Sequence, residues 1–278
     1  MSVQVERDDV FVIPKEWIVS NTSAINVDTR IGVGKPVVAM ILMYLLIIYK
    51  ITPSFMKSRP AYQLKGFMIL YNIYQIAACA YLITQIYLID LPTLEYGACV
   101  DFEPGTQVEK DFNHISYFLV WLKASEMIET VVFVLRKKQN QVSFLHVFHH
   151  CTVLFLAYNL ISTYRSSSAL LPAFINSSVH IIMYSYYLMA AVLPSKIVVL
   201  LTPFKKAITT IQMVQFTIVL FHVVVLKIRG CEIPELMLAI YIIVIIVIFY
   251  GFYDFYKKSY TENNSKAKVK SKEEQRRR

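Results

Sequence analysis

The chain has 278 residues, 56% of them hydrophobic and 17% charged, with a formal net charge of +9. Together with a mean hydropathy of +0.49, this excludes an ordinary soluble domain and describes a polytopic membrane protein. The basic excess gathers in short loops and in the tail, beside anionic lipid headgroups, so nucleic-acid binding is a poor reading of it.

The first segment, residues 1–35, is polar and has no apolar core of a cleavable signal peptide. The first helix is therefore expected to act as the insertion signal. Seven apolar stretches follow, near or above the roughly 20 residues needed to span hydrocarbon. They are 37–51, 66–89, 115–135, 144–160, 169–193, 207–227 and 236–255, the first being the shortest. A stub at 197–201, before Pro203, reads as a short interfacial or re-entrant piece, and Pro172 is a candidate kink in the fifth helix. The membrane domain thus covers 36–256, all-α with seven transmembrane helices, and 257–278 form a Lys/Ser/Asn/Glu-rich tail expected to be disordered.

Lysine and arginine set the orientation. The first loop carries Lys50, Lys57, Arg59 and Lys65, the third Arg136, Lys137 and Lys138, and the fifth Lys196, with Lys205 and Lys206 just beyond. The second loop is acidic, with Asp90, Glu95, Asp101, Glu103, Glu109 and Asp111. All basic loops fall on one side, taken as cytosolic, so the N-terminus is lumenal and the C-terminus cytosolic. Cys99 and Cys231 then both lie in lumenal loops, where disulfides persist, and are expected to be bonded; Cys79 and Cys151 read as packing residues within helices.

Ionisable groups at membrane depth are costly and mark functional sites by default. The third helix holds Lys123, Glu126, Glu129 and Thr130, a helical stripe with charges of both signs that can pair. The fourth holds His146, His149 and His150, whose offsets of three and four residues place them on nearly one face. The fifth aligns Asn176, His180, Tyr184 and Tyr187, and the sixth Thr209, Gln212 and Gln215. Four polar faces in one bundle imply a polar pocket walled by apolar surface.

Two chemistries fit such a pocket. One is metal ligation, for which three imidazoles suffice at zinc. Six histidines in all, with His114 in or near a loop and His222 toward the lumenal end of the sixth helix, leave too few for a two-metal site. The other is acyl or proton transfer, with imidazole as base, acid or nucleophile and amides stabilising an oxyanion or enolate. A seven-helix receptor shares the topology but rarely collects such charges at one level, and a transporter would show repeated halves or paired broken helices.

Five ordered boxes resemble the ELO family of very-long-chain fatty acid elongases. The pattern Lys-x-x-Glu-x-x-Asp-Thr corresponds to Lys123, Glu126, Glu129 and Thr130, followed by Phe133 to Lys138. The His-x-x-His-His box is His146, His149 and His150. The Asn-x-x-x-His-x-x-Met-Tyr-x-Tyr-Tyr box runs from Asn176 to Tyr187, and Thr-x-x-Gln-x-x-Gln-Phe from Thr209 to Phe216, both complete. The chain departs from the pattern at Glu129, where the family usually has Asp, and at the arginine-rich end Arg276-Arg277-Arg278, where the family often has a lysine-based retrieval motif.

The resemblance implies an acyltransferase of the endoplasmic reticulum membrane, a 3-ketoacyl-CoA synthase. It would condense acyl-CoA with malonyl-CoA to a 3-ketoacyl-CoA two carbons longer, carbon dioxide and CoA. It also implies six of seven helices in an inverted barrel, no metal or redox cofactor, and association with itself and with other elongation-cycle enzymes. On this footing His149 is the expected nucleophile in a ping-pong reaction. His180, Asn176, Gln212 and Gln215 orient substrate or stabilise the enolate, and His146 and His150 tune or relay protons. Lys123, Arg136, Lys137, Lys205 and Lys206 meet CoA phosphates or the malonyl carboxylate; Glu126, Glu129, Tyr184 and Tyr187 complete the substrate site.

Overall fold

The computed structural model describes residues 35–89, 99–100, 102–163 and 166–262. The readings of the N-terminal segment, of Asp90, Glu95 and Asp101, and of the tail beyond 262 lie outside the described residues. Within them every element is helical: α1 (Lys35–Leu46), α2 (Thr52–Met56), α3 (Lys65–Leu88), α4 (Gln107–Glu126), α5 (Ile128–Leu135), α6 (Phe144–Thr163), α7 (Leu170–Val192), α8 (Ser195–Leu200), α9 (Thr202–Ile228) and α10 (Glu235–Tyr256). A π-helical stretch, Ile47–Ile51, joins α1 to α2 into one rod.

The helix ends follow local chemistry. Thr106 caps α4, its Oγ1 accepting from the Glu109 N–H at 3.2 Å, while Glu109 Oε2 accepts from the Gly105 N–H at 2.7 Å, a variant of the capping box. After α9, Gly230 takes φ +78; its N–H donates to Lys227 O, and that of Cys231 donates to Leu226 O, a Schellman closure. After α5 the same closure falls on Lys137, at φ 55, with N–H bonds from Lys137 to Val134 O and from Lys138 to Phe133 O.

Several of the expected placements change. The third stretch begins at Gln107 and not near residue 115, because Thr106 supplies the cap. His114 therefore sits inside α4, with Nε2 3.0 Å from the Tyr81 hydroxyl, and not in a loop. Pro172 falls in the first turn of α7, where its missing N–H has no helical partner to lose, so it does not act as an interior kink. The tail does not lose structure at residue 257; Lys257–Glu262 continue α10 as a π-helix.

Among the described residues, four helical stretches are long and apolar enough to cross a membrane: Pro36–Met56, Lys65–Leu88, Pro203–Ile228 and Glu235–Thr261. The other long helices, α4 with α5, α6 and α7, are the ones that carry the buried charges and the histidine box. The packing order is cyclic: α3 lies against α4, α4 against α6, α6 against α10, α10 against α9, α9 against α7, and α7 against α3. Helix α1 packs on α6 from outside this cycle.

At one end of the bundle the loops are stitched together. Cys99 and Cys231 form a disulfide, their Cα atoms 5.9 Å apart. Val100 O accepts from Ser167 N–H at 3.0 Å, and Val100 N–H donates to Ser167 Oγ at 3.1 Å. The bond closes a separation of 132 residues, and removing a native disulfide typically costs about 2–5 kcal/mol. Cys99→Ser/Cys231→Ser is therefore expected to unfold at lower temperature in detergent micelles, by several degrees. Equal unfolding temperatures for the double variant and the wild type would count against a stabilising role.

Candidate active site

The charged stripe of α4 and α5 straddles a tightened turn. The Met127 N–H donates to Ala124 O and the Thr130 N–H to Met127 O, an i→i−3 pattern between Glu126 and Glu129. The Tyr71 hydroxyl of α3 lies 3.2 Å from Ser125 O and 3.3 Å from Glu126 O, satisfying carbonyls that the break exposes. Gln75 Nε2 donates to Ser125 Oγ at 3.0 Å. The turn lets Glu126 and Glu129 serve different neighbours.

Glu126 faces α7. Its Oε1 accepts from Lys123 Nζ at 2.7 Å, and the same ammonium donates to Asn176 Oδ1 at 2.5 Å. His180 Nδ1 lies 3.0 Å from Glu126 Oε1, in ion-pair reach though off the direction of a hydrogen bond. Lys123 and Glu126 are 4% and 1% exposed, so the charges hold each other with almost no help from water. Lys123 is thus part of the buried network and is separated from the exposed Lys137, Lys205 and Lys206. Arg136 Nη1 lies 2.7 Å from Met68 Sδ, and Lys206 Nζ is 5.5 Å from the Tyr256 ring centre.

Glu129 faces the histidine box. Tyr44, on the outer helix α1, donates to Thr130 Oγ1 at 2.7 Å, and that oxygen lies 3.0 Å from His146 Nε2. Thr130 Oγ1 thus bridges the Tyr44 hydroxyl and the His146 ring. The His146 and His150 rings are 4.5 Å apart, and those of His149 and His150 5.3 Å. Glu129, His146 and His150 bring ligand-type atoms within 4.8 Å of one another, close enough to hold a cation.

The two networks meet at a cavity of about 100 Å³. Its polar end is made by Lys123, His149, Asn176 and Gln215; its remaining walls are apolar, among them Leu119, Val153, Ala157, Val219 and Ile245. Gln215 Oε1 is buried without a hydrogen-bond partner, which leaves an acceptor for a ligand. Gln212 is turned to Met183, its Nε2 3.6 Å from the sulfur. Tyr184 and Tyr187 stand edge to face behind His180, at 6.1 Å. Four contributors escaped the sequence reading. Gln75 was findable by the rule applied to Gln215, an amide in an apolar helix; Tyr44, Tyr71 and Tyr241 carry no such signal among 19 tyrosines.

A family profile described as ELO, the GNS1/SUR4 family, matches residues 32–268. The chain belongs to the ELO family. Among ELO proteins, it is 32% identical over 197 residues to human very long chain fatty acid elongase 1, covering 68% of each chain. It is 34% identical over 195 residues to elongase F of Drosophila melanogaster, 68% of this chain and 75% of that one. Against elongase 4 of Macaca mulatta it is 31% identical over 205 residues, 73% of this chain and 64% of that one. The charged stripe, the histidine box and the Asn–His helix that build the cavity all lie inside the matched range.

Proposed function

We propose that this ELO protein is the condensing enzyme of fatty acid elongation, joining an acyl-CoA to malonyl-CoA. The observation that carries this reading is the cavity itself, where one imidazole, one ammonium and two amides converge at the end of an apolar space. In the first half-reaction His149 attacks the thioester carbonyl, the acyl–sulfur bond breaks, and CoA leaves from an acyl-imidazole. In the second, malonyl-CoA loses carbon dioxide, its enolate carbon attacks the acyl carbon, and the imidazole departs. The product is a 3-ketoacyl-CoA two carbons longer. Asn176 and Gln215 serve as enolate or oxyanion donors, and His180, held beside Glu126, orients the substrate.

The exposed Lys137, Lys205 and Lys206, with the half-buried Arg136, suit the CoA phosphates. Their end is cytosolic and the disulfide end lumenal, in a seven-span protein of the endoplasmic reticulum whose cyclic packing corresponds to a six-helix inverted barrel. The Glu129–His146–His150 trio tunes the nucleophile through the His150 ring, packed 5.3 Å from that of His149, and needs no metal.

The test uses purified full-length protein in liposomes with acyl-CoA and labelled malonyl-CoA. The expected product is the two-carbon-longer 3-ketoacyl-CoA, at a rate unchanged by chelator and with no stoichiometric metal by elemental analysis. Absence of malonyl-dependent product rejects the condensing reading, and a chelator-sensitive rate with bound metal rejects the metal-free one.

A further inference from the structure

We infer that Tyr241 fixes the longest acyl chain this enzyme accepts, by walling the reaction cavity off from a second apolar chamber; the inference rests on the condensing reading above. The second chamber measures about 40 Å³ and shares three lining residues with the first: Ala169, Pro172 and Tyr241. Two of these are small. The one large side chain in the shared wall is the Tyr241 ring.

The two spaces follow one path along the helices. On α10 the lining runs Ile248, Ile245 and Tyr241 in the first cavity, then Tyr241, Leu238 and Met237 in the second. Spacings of three or four residues keep these on one face, each step about one turn further from His149. On α9 the same descent goes from Gln215 and Val219 to Val223 and Leu226. A chain acylated on His149 therefore grows toward Tyr241 and, with the ring removed, into the second chamber.

Beyond Tyr241 the path has a floor. Ser168 and His222 line the second chamber, with His222 Nε2 3.1 Å from Ser168 O. Ser167, the residue before Ser168, is bound to Val100, which adjoins the disulfide-bonded Cys99. The floor is thus fastened, whereas the Tyr241 wall is a single side chain. From Tyr241 to Met237 is four residues, about 6 Å of helix. An extended chain advances about 1.2 Å per bond, so removing the wall admits an acyl chain about five carbons longer.

The experiment presents a ladder of saturated acyl-CoAs to full-length protein in liposomes and records, by mass spectrometry, the longest one condensed with malonyl-CoA. Tyr241→Ala is expected to raise that limit by about five carbons. Tyr241→Ala/Met237→Trp is expected to bring it back by filling the chamber from its far side, and Tyr241→Trp to lower it. An active Tyr241→Ala protein with the wild-type limit overturns the inference. Should that variant not fold, Tyr241→Trp decides: a shortened limit supports the wall, an unchanged one removes it. A wild-type protein that condenses no acyl-CoA at all fails the condensing reading instead.

Discussion

Replacing His149 by alanine is expected to abolish condensation and, with acyl-CoA alone, to abolish CoA release. The loss should be on the order of 10³-fold or more, as for removal of a covalent nucleophile elsewhere. The reason is positional. His146 is engaged through Nε2 with Thr130, His180 is held beside Glu126, and His150 is buried between its two neighbours in the box. His149 alone of the four lines the cavity, with Phe252 edge-on to its ring at 6.2 Å. An imidazole that reaches a cavity with mostly apolar walls is suited to form an acyl adduct. Wild-type protein quenched after acyl-CoA alone should yield a peptide containing His149 with the mass of one acyl group, and the alanine variant should not. His146→Ala and His150→Ala should slow the reaction less, because their rings act through hydrogen bonding and packing and not through a bond to the acyl carbon. An alanine variant at 149 that still releases CoA from acyl-CoA alone would reject the covalent step.

The polar faces of this site were legible because hydrocarbon makes them so. A lysine, two glutamates, four histidines and an asparagine inside apolar stretches have no cheap exposed alternative, so their helical spacing alone assigned them to one interior. The compartment argument likewise pointed to Cys99 and Cys231, which the structure brings together. What spacing could not supply is which polar group answers which. Glu126 and Glu129 are three residues apart on paper, but the tightened turn at Met127 sends one to Lys123 and His180 and the other to His146 and His150. That division depends on a break in the helix, and the break is satisfied by Tyr71 from another helix, a contact with no local sequence sign. Lys123 shows the same limit. Its charge type fitted a phosphate contact, and only its burial reveals an internal partner. The role of Tyr241 is likewise invisible without coordinates, because the cavities it separates are walled by helices far apart in the chain.

Breaking the Lys123–Glu126 pair is expected to destabilise the fold more than any other single change at the site. Both groups are nearly inaccessible, at 4% and 1% exposure, and loss of one partner leaves the other charge buried. The usual cost is about 3–5 kcal/mol. Glu126→Leu strands the Lys123 ammonium with only the neutral Asn176 oxygen to accept from it, and Lys123→Met strands the Glu126 carboxylate with His180. Lys123→Met/Glu126→Leu removes both charges, so its stability should lie closer to wild type than the sum of the single losses, a coupling of several kcal/mol. Unfolding in detergent micelles measures all four proteins, and the pattern should hold at high salt, since a buried pair is little screened. The double variant also separates the pair's two effects. If Lys123 and Glu126 hold Asn176 and His180 in place for the reaction, it should fold well and yet condense poorly. Single variants within 1 kcal/mol of wild type, at the scale of an exposed pair, would show that water reaches these groups after all.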